Sequence, residues 1–296
     1  MPTDPKGKAG KKPPNRLDLG SFAGLLVATG GIVGGLLLEG GRLKDIAQFT
    51  AALIVLGGTT GAVLVSTPLR TVLGAQRRLI GIFRDPAIPL NALIDELIGY
   101  ATHARKNGIV SLEDLALAIE DPFLSKALTL AVDGTDLQEI RKMLELDMEM
   151  EREMVDREAR VFESAGGYAP TIGIIGAVLG LIQVMKNLAN IDEVGHGIAV
   201  AFVATVYGVG SANVLFLPVA SKIRLRMQIE MQRKDLIVEA VSGIVEGLNP
   251  KLIRMRLEAY LQDEPKPKQK PKPAAETKPV ASEAPASATA PEKVEA

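Results

Sequence analysis

The chain has 296 residues, a formal net charge of −1 at pH 7, no cysteine and no tryptophan. Its balanced charge argues against a nucleic-acid-binding protein, and the scarcity of aromatic residues leaves few platforms on which bases could stack. The lack of cysteine excludes disulfide bonds and thiolate metal sites, and the two histidines, His103 and His196, do not have metal-ligand spacing.

Four stretches of 20 to 25 residues contain no Asp, Glu, Lys, Arg or His. A helix needs about 20 apolar residues to cross the hydrocarbon core, and a charge at its centre costs roughly 2.5–3.5 kcal/mol on insertion scales. Four such runs in one chain favour membrane spans over soluble helices that are buried on all sides. The predicted spans are residues 19–38, 46–69, 164–185 and 197–221.

Lysine and arginine are concentrated on one side of these spans. They are frequent before the first span, after the second and after the fourth, whereas the short links 39–45 and 186–196 hold only three. The positive-inside rule therefore predicts that both termini and the long middle segment are cytoplasmic. Residues 1–17 lack a small-residue cleavage site after a short apolar core, so we interpret them as a basic extension and not as a signal peptide.

The predicted fold class is all-α, a polytopic membrane protein with four transmembrane helices and a large helical cytoplasmic domain. Spans 1 and 2 occupy residues 18–72, the cytoplasmic domain 73–163, spans 3 and 4 164–221, and cytoplasmic C-terminal helices 222–261. The Pro-, Lys- and Ala-rich tail, residues 262–296, is predicted to be disordered. It is interpreted as a solubilising appendage, with a tether or partner-binding tail as the alternative.

Apolar residues recur with helical spacing in the cytoplasmic domain. They are Leu90, Leu93, Ile94, Leu97, Leu115, Leu117, Ile119, Leu124, Leu128 and Leu130. The charge-dense stretch 136–163 predicts one long helix running up to the membrane, capped by Asp136 or Thr135. Its interleaved apolar residues are Ile140, Met143, Leu144, Met150, Met154 and Val161. Asn249 followed by Pro250 predicts an N-cap and a last short helix.

The spans carry small residues four apart, a spacing that lets helix backbones approach closely and predicts a tight bundle or an oligomer. These residues are Gly30, Gly31, Gly34, Gly35, Gly57, Gly61, Gly176, Gly180, Ala204 and Gly208. Pro170 opens the third predicted span and can be a first-turn proline, whereas Pro218 is expected to bend the fourth.

The motifs argue against an enzyme, because no Walker sequence, G-x-S-x-G or H-E-x-x-H is present. The four runs also lack the carboxylate or histidine that a proton path needs. If the protein helps to conduct protons, the titrating acid has to come from another chain, which predicts a multi-subunit machine.

Several separated motifs resemble motility protein A, the channel subunit of the bacterial flagellar stator. They are LEGG at 38–41, YAPTIGIIGAVLGLI at 168–182, GHGIAVAFVATVYGVGSANVLFLPVASKI at 195–223 and EGLNPKLIRMRLEAYL at 246–261. The resemblance covers roughly residues 18–261. It implies a multi-pass protein of the bacterial inner membrane in which a ring of about five copies surrounds a peptidoglycan-anchored B-subunit. That partner supplies the ion-accepting Asp, and ion flow drives the ring against the rotor protein FliG, with no cofactor.

The resemblance also implies a rotor contact. The family pattern R-x-x-G-x-x-S-L-E falls on Arg105 and Glu113. The alternative is structural, since the cations at 105–106 end one helix and the acids at 113–114 begin the next, where both signs suit the helix dipoles. Ser111 with Asp114 also resembles a capping box.

For the ion path, the resemblance implies hinge roles for Pro170 and Pro218 and places Thr205 near the ion. Sodium-driven members of the family tend to have Thr where this chain has Ala177. Alanine offers no side-chain oxygen to a bare Na⁺, so we predict H⁺ as the transported ion, with Na⁺ as the alternative.

Two other functions compete with this interpretation. A channel subunit related to TolQ or ExbB resembles the third and fourth spans, but such subunits usually have three membrane helices. A solute transporter is the alternative of another class, and transporters usually show repeat symmetry, which the two pairs of spans lack.

Overall fold

The structure, a computed structural model, describes residues 16–85 and 90–261. Its regular structure is helical apart from one antiparallel pair of two-residue strands, β1 (Arg16–Leu17) and β2 (Arg84–Asp85). The all-α prediction is therefore confirmed. The predicted disordered tail lies outside the described residues, as does nearly all of the basic extension.

Four helical stretches are long and apolar enough to cross a bilayer, which confirms the four predicted spans. Span 1 is α1 (Leu19–Leu38), and α2 (Leu43–Ile46) lies in the link after it. Span 2 consists of α3 (Phe49–Ala52), a π-helical segment (Leu53–Gly57) and α4 (Gly58–Ser66). Span 3 is part of α9 (Leu137–Lys186). Span 4 consists of α10 (Ile191–Gly210), a second π-helical segment (Ser211–Phe216) and the start of α11 (Leu217–Val245).

The other helices build a polar helical block from the sequence before α9 and after span 4. They are α5 (Leu69–Ile82), α6 (Leu90–Asn107), α7 (Glu113–Ala118), α8 (Pro122–Val132) and α12 (Pro250–Glu258), with 3₁₀ turns at Ile109–Leu112 and Ala259–Leu261. The predicted boundaries at 163/164 and 221/222 fall inside α9 and α11. They mark a change of composition and not the end of a helix.

Residue chemistry accounts for where these helices begin. Asp136 caps α9 by accepting a hydrogen bond from the backbone N–H of Gln138, which settles the choice between Asp136 and Thr135. Asn249 caps α12 in the same way, and Pro250 follows in the first turn, where its missing N–H costs nothing. Both predicted caps are confirmed.

The core of the polar helical block joins α6, α8, the first turns of α9, α11 and α12. Its most deeply buried side chains are Ile94, Leu97, Leu112, Leu124, Leu128, Ile140, Leu144, Leu236, Ile237, Ile253 and Leu257. Burying a side chain of this size contributes about 1.5–3 kcal/mol, so this cluster is what holds the block together. The predicted apolar positions in α6 and α8 are largely confirmed.

Part of the predicted apolar pattern is wrong. Leu115 and Leu117 are exposed, because α7 lasts for only six residues and turns Ala116 to the core instead. In α9 the residues Met143, Met150 and Met154 are exposed as well. The buried stripe of α9 advances in steps of four or seven residues, one or two helical turns, through Ile140, Leu144, Met148, Val155 and Ala159.

Two buried cations of α11 each pair with an acid from outside that helix. Arg233 is 9% exposed and forms ion pairs with Glu230 and with Asp121, the N-cap of α8. Burial opposes the charge of Arg233, but these two carboxylates outweigh it and hold its pKa above the ordinary value. Lys234 pairs with Glu151 of α9 and lies 4.8 Å from the ring centroid of Phe123. Burying a charge without a partner is costly, so these contacts fix the register of α8, α9 and α11.

Candidate functional sites

Spans 3 and 4 form one closely packed pair, in which glycines of one helix face the backbone of the other. A Cβ atom added to Gly173 would lie 2.9 Å from the carbonyl oxygen of Ala204, and one added to Gly208 would lie 2.6 Å from that of Ala169. Gly180 and Gly197 face each other at the far end of the pair in the same way. The predicted close packing at the small residues of these spans is confirmed.

The glycines of span 1 behave differently. An added Cβ would meet nothing within 4 Å at Gly30, Gly31, Gly34 or Gly35, and no residue of α1 is buried. In span 2 the tight contact is made by Gly58, against Ile172, and not by Gly57 or Gly61. The small-residue pattern therefore predicts packing within the chain for spans 3 and 4 but not for span 1.

Three of the predicted ion-path residues lie on or beside the interface of spans 3 and 4. Gly173, which follows Pro170 by three residues, contacts Thr205 across the interface. Ala177 is half-buried and follows Gly176, which contacts Ala204. The hydroxyl of Thr205 donates to the carbonyl of Ala201, 3.2 Å away within its own helix. That bond satisfies the proton of Thr205 and leaves its oxygen lone pairs as acceptors.

Pro170 lies inside α9, so its interpretation as a first-turn proline is wrong. The helix runs through it without ending, although proline has no N–H and leaves the carbonyl of Gly166 without its helical donor. Small residues make this possible, since Gly166 and Ala169 are buried against span 4 and its continuation. Pro170 is therefore a local weak point within a continuous helix.

Pro218 lies next to a different surface. It is the second residue of α11 and follows the π-helical segment of span 4. The hydrogen-bond pattern of that segment differs from that of an α-helix, so the chain does not need an α-helical hydrogen bond from the missing N–H of Pro218. With Ser21, Gly24 and Asn213 it lines a cavity of about 320 Å³ between span 1 and span 4. The structure thus separates Pro218 from the interface that contains Pro170, Ala177 and Thr205.

Sequence reasoning missed the two π-helical segments and one buried hydroxyl. Both segments contact α9, and Ile54 of the first approaches Gly176. Thr59 is 2% exposed, and its hydroxyl has no hydrogen-bond partner among the described residues. No sequence signal marks a π-helix in an apolar run, because the pattern of residue types stays the same.

The charged hairpin, residues 102–114, exposes both predicted rotor-binding residues. Arg105 is in the last turn of α6 and Glu113 in the first turn of α7. Neither forms an ion pair within the described part of the chain. The turn between them needs Gly108, whose φ of +86° is unfavourable for other residues. Leu112 is fully buried within the turn, and its packing holds in place the backbone that carries the exposed charges.

The predicted capping box at Ser111 and Asp114 is wrong. The hydroxyl of Ser111 donates to the carbonyl of Gly108, 2.6 Å away, and α7 begins without a side-chain cap. Ser111 lies in the 3₁₀ turn, where its side chain serves the turn and not the helix that follows. The acids at the start of α7 remain favourable to its dipole.

Two exposed apolar side chains lie near these charges in sequence, and one of them, Leu117, belongs to the predicted apolar pattern. Val110 is 65% exposed and Leu117 77% exposed, on either side of Glu113 in sequence. Apolar residues of this size on a rigid turn provide contact area for a partner. Among the described residues, no group of three or more His, Cys, Asp or Glu has the arrangement of a metal site.

This fold and these sites define a membrane channel subunit, and comparison with known proteins identifies its family. Residues 22–106 match the motility protein A N-terminal family model, and residues 116–236 match that of the MotA/TolQ/ExbB proton channel family. The chain is 34% identical over 254 residues to a motility protein A of Helicobacter pylori, which covers 86% of this chain and 99% of the relative.

Solved structures agree with these sequence matches. The structure of C. jejuni MotAB superposes with a TM-score of 0.81 at 32% identity, covering 84% of this chain and 98% of the other. The flagellar MotAB stator complex from Bacillus subtilis gives a TM-score of 0.77 at 32% identity, covering 82% and 96%.

The chain belongs to the motility protein A family. It is a stator channel subunit and an inner-membrane protein. The match of the N-terminal half to the motility protein A model favours this assignment over a TolQ- or ExbB-like subunit and over a solute transporter.

Proposed function

We propose that this subunit couples inward H⁺ flow to torque on the flagellar rotor, together with a B-subunit that supplies the ion-accepting Asp. The observation that carries the proposal is the neutral interface of spans 3 and 4. It is closely packed, it contains the hydroxyl of Thr205, and the charge-free runs that form it, residues 164–185 and 197–221, have no carboxylate or histidine that could relay protons. The similar structures from C. jejuni and Bacillus subtilis are MotAB complexes, which supports the expectation of a B-type partner.

The choice of H⁺ over Na⁺ rests on Ala177. A bare Na⁺ needs several oxygen ligands, and the wall of this span offers a methyl group at that position. A proton needs only one acceptor at a time, which the partner's carboxylate provides. The other member of the proposed site, Thr205, contributes its hydroxyl oxygen.

Pro170 and Pro218 are proposed to act as hinges at two separate interfaces. Pro170 weakens α9 where span 3 contacts span 4, and Pro218 lies beneath the π-helical segment where span 4 approaches span 1. A change of charge on the partner's Asp would alter the hydration of the channel wall, and at each of these two points proline has no N–H to donate to a helical hydrogen bond that would resist movement.

Arg105 and Glu113 are proposed to bind oppositely charged residues of FliG. Their exposure and their lack of ion-pair partners among the described residues support this proposal. Exposed charges steer an encounter more than they add affinity, which suits a contact that forms and breaks repeatedly. The exposed side chains of Val110 and Leu117 would add short-range contact area.

The proposed assembly is a homo-oligomeric ring around the B-subunit. The proposed topology has both termini, residues 73–163 and residues 222–261 in the cytoplasm. Because the sequence has no cysteine, single cysteines introduced by Lys142→Cys and Glu193→Cys provide a clean test. A membrane-impermeant thiol reagent added to intact cells should label the second variant and not the first.

Conduction is tested by reconstituting the purified subunit into vesicles with and without its B-subunit. The pair should carry H⁺ in response to a pH gradient, insensitive to the replacement of Na⁺ by K⁺, and the subunit alone should not. Selective H⁺ flux through the subunit alone would contradict the proposal, because its own spans would then contain the acceptor.

The rotor contact is tested by swimming speed. Arg105→Glu should slow swimming under high viscous load, and a charge reversal on FliG should restore part of the speed. Lys251→Glu makes the same change of charge on another exposed helix and should have little effect. Equal slowing in both variants, with no rescue of Arg105→Glu, would show that the position does not meet the rotor.

A further inference from the structure

An arginine-rich cavity of about 530 Å³ opens at the end of span 2 that leads into the polar helical block, between α4, α5 and α9. We call it the arginine cavity. Its lining residues are Ser66, Thr67, Pro68, Arg70, Thr71, Met154, Arg157, Glu158, Arg160 and Ser164. None of the predicted ion-path or rotor-binding residues belongs to it.

The cations of this cavity exceed the acids available to them. No acid lies within ion-pair distance of Arg70 or Arg157 in the described part of the chain, and Arg160 pairs with Asp156 one turn away. The one acid in the wall, Glu158, is 12% exposed and is neutralised by Arg78. Two unpaired guanidinium groups from different helices therefore converge on one opening.

Neutral donors complete the lining. The hydroxyls of Thr67, Thr71 and Ser164 make no hydrogen bond to any described residue. The cavity also includes the first turn of α5, where the backbone N–H groups of Leu69 and Arg70 have no helical acceptor and carry a partial positive charge, whereas the N–H of Thr71 donates to the carbonyl of Pro68. Guanidinium groups, hydroxyls and free N–H groups together suit the oxygens of a phosphate.

The position of the cavity along spans 2 and 3 indicates that the phosphate belongs to a lipid headgroup. Ser66 is the last residue of span 2, and Ser164 is the first residue of the third charge-free run. Arg160 and Arg157 precede Ser164 in α9 by four and seven residues. They therefore lie about 6 and about 10 Å along the helix from Ser164, on the side away from the charge-free run. The headgroup layer of a bilayer is roughly 5–8 Å deep on each side, so arginine side chains from these positions reach its phosphates.

Two exposed apolar side chains are next in sequence to lining residues of the cavity. Val65 is 90% exposed and Leu69 is 62% exposed, on either side of the turn that lines the cavity. An acyl chain can lie along these residues while its headgroup occupies the cavity. A soluble phosphate would leave that surface uncovered.

We propose that the arginine cavity binds the headgroup of an anionic phospholipid of the cytoplasmic leaflet, with Arg70 and Arg157 as its two charge partners. The proposal rests on the proposed topology, which puts this end of span 2 on the cytoplasmic side. A bound lipid would join the end of span 2 to the beginning of span 3. The lipid proposal does not depend on which ion is transported or on the contact with the rotor.

The test uses the full-length protein in a mild detergent and native mass spectrometry to count retained lipids. Wild type should retain phosphatidylglycerol more strongly than phosphatidylcholine. In the double variant Arg70→Gln, Arg157→Gln, affinity for phosphatidylglycerol should fall at least about tenfold, since each cation near an anionic surface contributes appreciably. The control, Lys142→Gln with Lys251→Gln, removes two exposed charges elsewhere and should stay within about twofold of wild type.

Other outcomes overturn the proposal in distinguishable ways. If glycerol 3-phosphate displaces the signal at equal concentration, the site binds a soluble phosphate and not a lipid. If the arginine variant changes the mass of the oligomer and not the lipid count, the cavity meets an acid of a neighbouring copy. If lipid retention is unchanged, the cavity is only a solvated surface. Proton flux of the reconstituted pair should persist in the arginine variant, so a failure here is separate from a failure of the proposed conduction.

Discussion

Span 1 and the pair formed by spans 3 and 4 are similar in composition but opposite in packing. Both are rich in glycine, and both contain the charge-free runs, residues 19–38 in span 1 and residues 164–185 and 197–221 in the pair. In the pair, the glycines bring two backbones together, as at Gly173 and Gly208, whereas a Cβ atom added to Gly30, Gly31, Gly34 or Gly35 of span 1 would meet no described residue within 4 Å. The difference shows that a small-residue pattern permits close approach but does not specify the partner.

Span 1 is instead held by contacts at its N-terminal end. Asp18, just before α1, forms ion pairs with Lys222 and Arg226 of α11 and accepts a hydrogen bond from the N–H of Ser21. The backbone N–H of Asp18 donates to the carbonyl of Phe83, and strands β1 and β2 pair beside it. Span 1 is therefore held at one end while its glycine face stays open to lipid or another chain.

The largest effect is expected from a substitution that disrupts the packing of spans 3 and 4. Gly208→Ala puts a methyl group 2.6 Å from the carbonyl oxygen of Ala169, where backbone would have to move. Such overpacking costs about 1–3 kcal/mol, so the variant should melt at a lower temperature in detergent and fail to support swimming. Gly31→Ala is the matched control, because its methyl group would meet nothing within 4 Å of this chain.

A smaller effect is expected where the pair has its weak point. Pro170→Ala restores the helical donor to the carbonyl of Gly166 and should stabilise α9 by about 1–2 kcal/mol, measured as a higher melting temperature. If Pro170 is a hinge, the same variant should swim more slowly. Pro122→Ala is the control, since Pro122 is in the first turn of α8, where proline breaks no hydrogen bond. A slower but less stable Pro170→Ala variant would mean that the proline is structural.

The contacts of Asp18 at the N-terminal end of span 1 predict a stability that depends on pH. The hydrogen bond from Lys222, helped by that from Ser21, lowers the pKa of Asp18 from 3.8 to about 2. Because the folded-state pKa is below the unfolded value, the stabilisation is fully present above about pH 4 and is lost as the pH falls through about 2. Asp18→Asn should therefore cost about 1 kcal/mol at neutral pH and almost nothing once the pH is below about 2.

Chemical denaturation of the detergent-solubilised protein across that range measures the effect. Glu193→Gln, an exposed change in the link between spans 3 and 4, should leave the pH profile unchanged. A constant difference between Asp18→Asn and wild type at all pH values would assign the loss to shape and not to charge.

The same contrast explains how much the sequence could predict. The spans, the caps at Asp136 and Asn249 and most of the core of the polar helical block follow from local composition and spacing. The continuity of α9 through Pro170 does not, because it depends on the small residues of span 4 that face this segment. Local rules give helix ends, but tertiary contacts decide whether a proline is one of them.

The candidate sites divide in the same manner. Arg105 and Glu113 were placed correctly on helix ends, because Gly108 and the charge pattern are local signals. The exposure of Leu117 was not foreseen, since a short helix following a 3₁₀ turn shifts the register of the apolar face. The arginine cavity combines residues from three helices, and no spacing in the sequence relates Arg70 to Arg157.

The smallest expected effect concerns the buried hydroxyl of span 2. Thr59 has no hydrogen-bond partner for its side chain among the described residues, and a buried polar group without a partner is destabilising. Thr59→Val keeps the shape and removes the hydroxyl, so the protein should gain stability, by at most about 1 kcal/mol, with swimming unchanged. Thr60→Val is the comparison, because the hydroxyl of Thr60 donates to the carbonyl of Leu56 and is exposed. A loss of stability in Thr59→Val larger than that in Thr60→Val would mean that the hydroxyl of Thr59 binds water or a second chain, and that span 2 is stabilised by contacts outside this subunit.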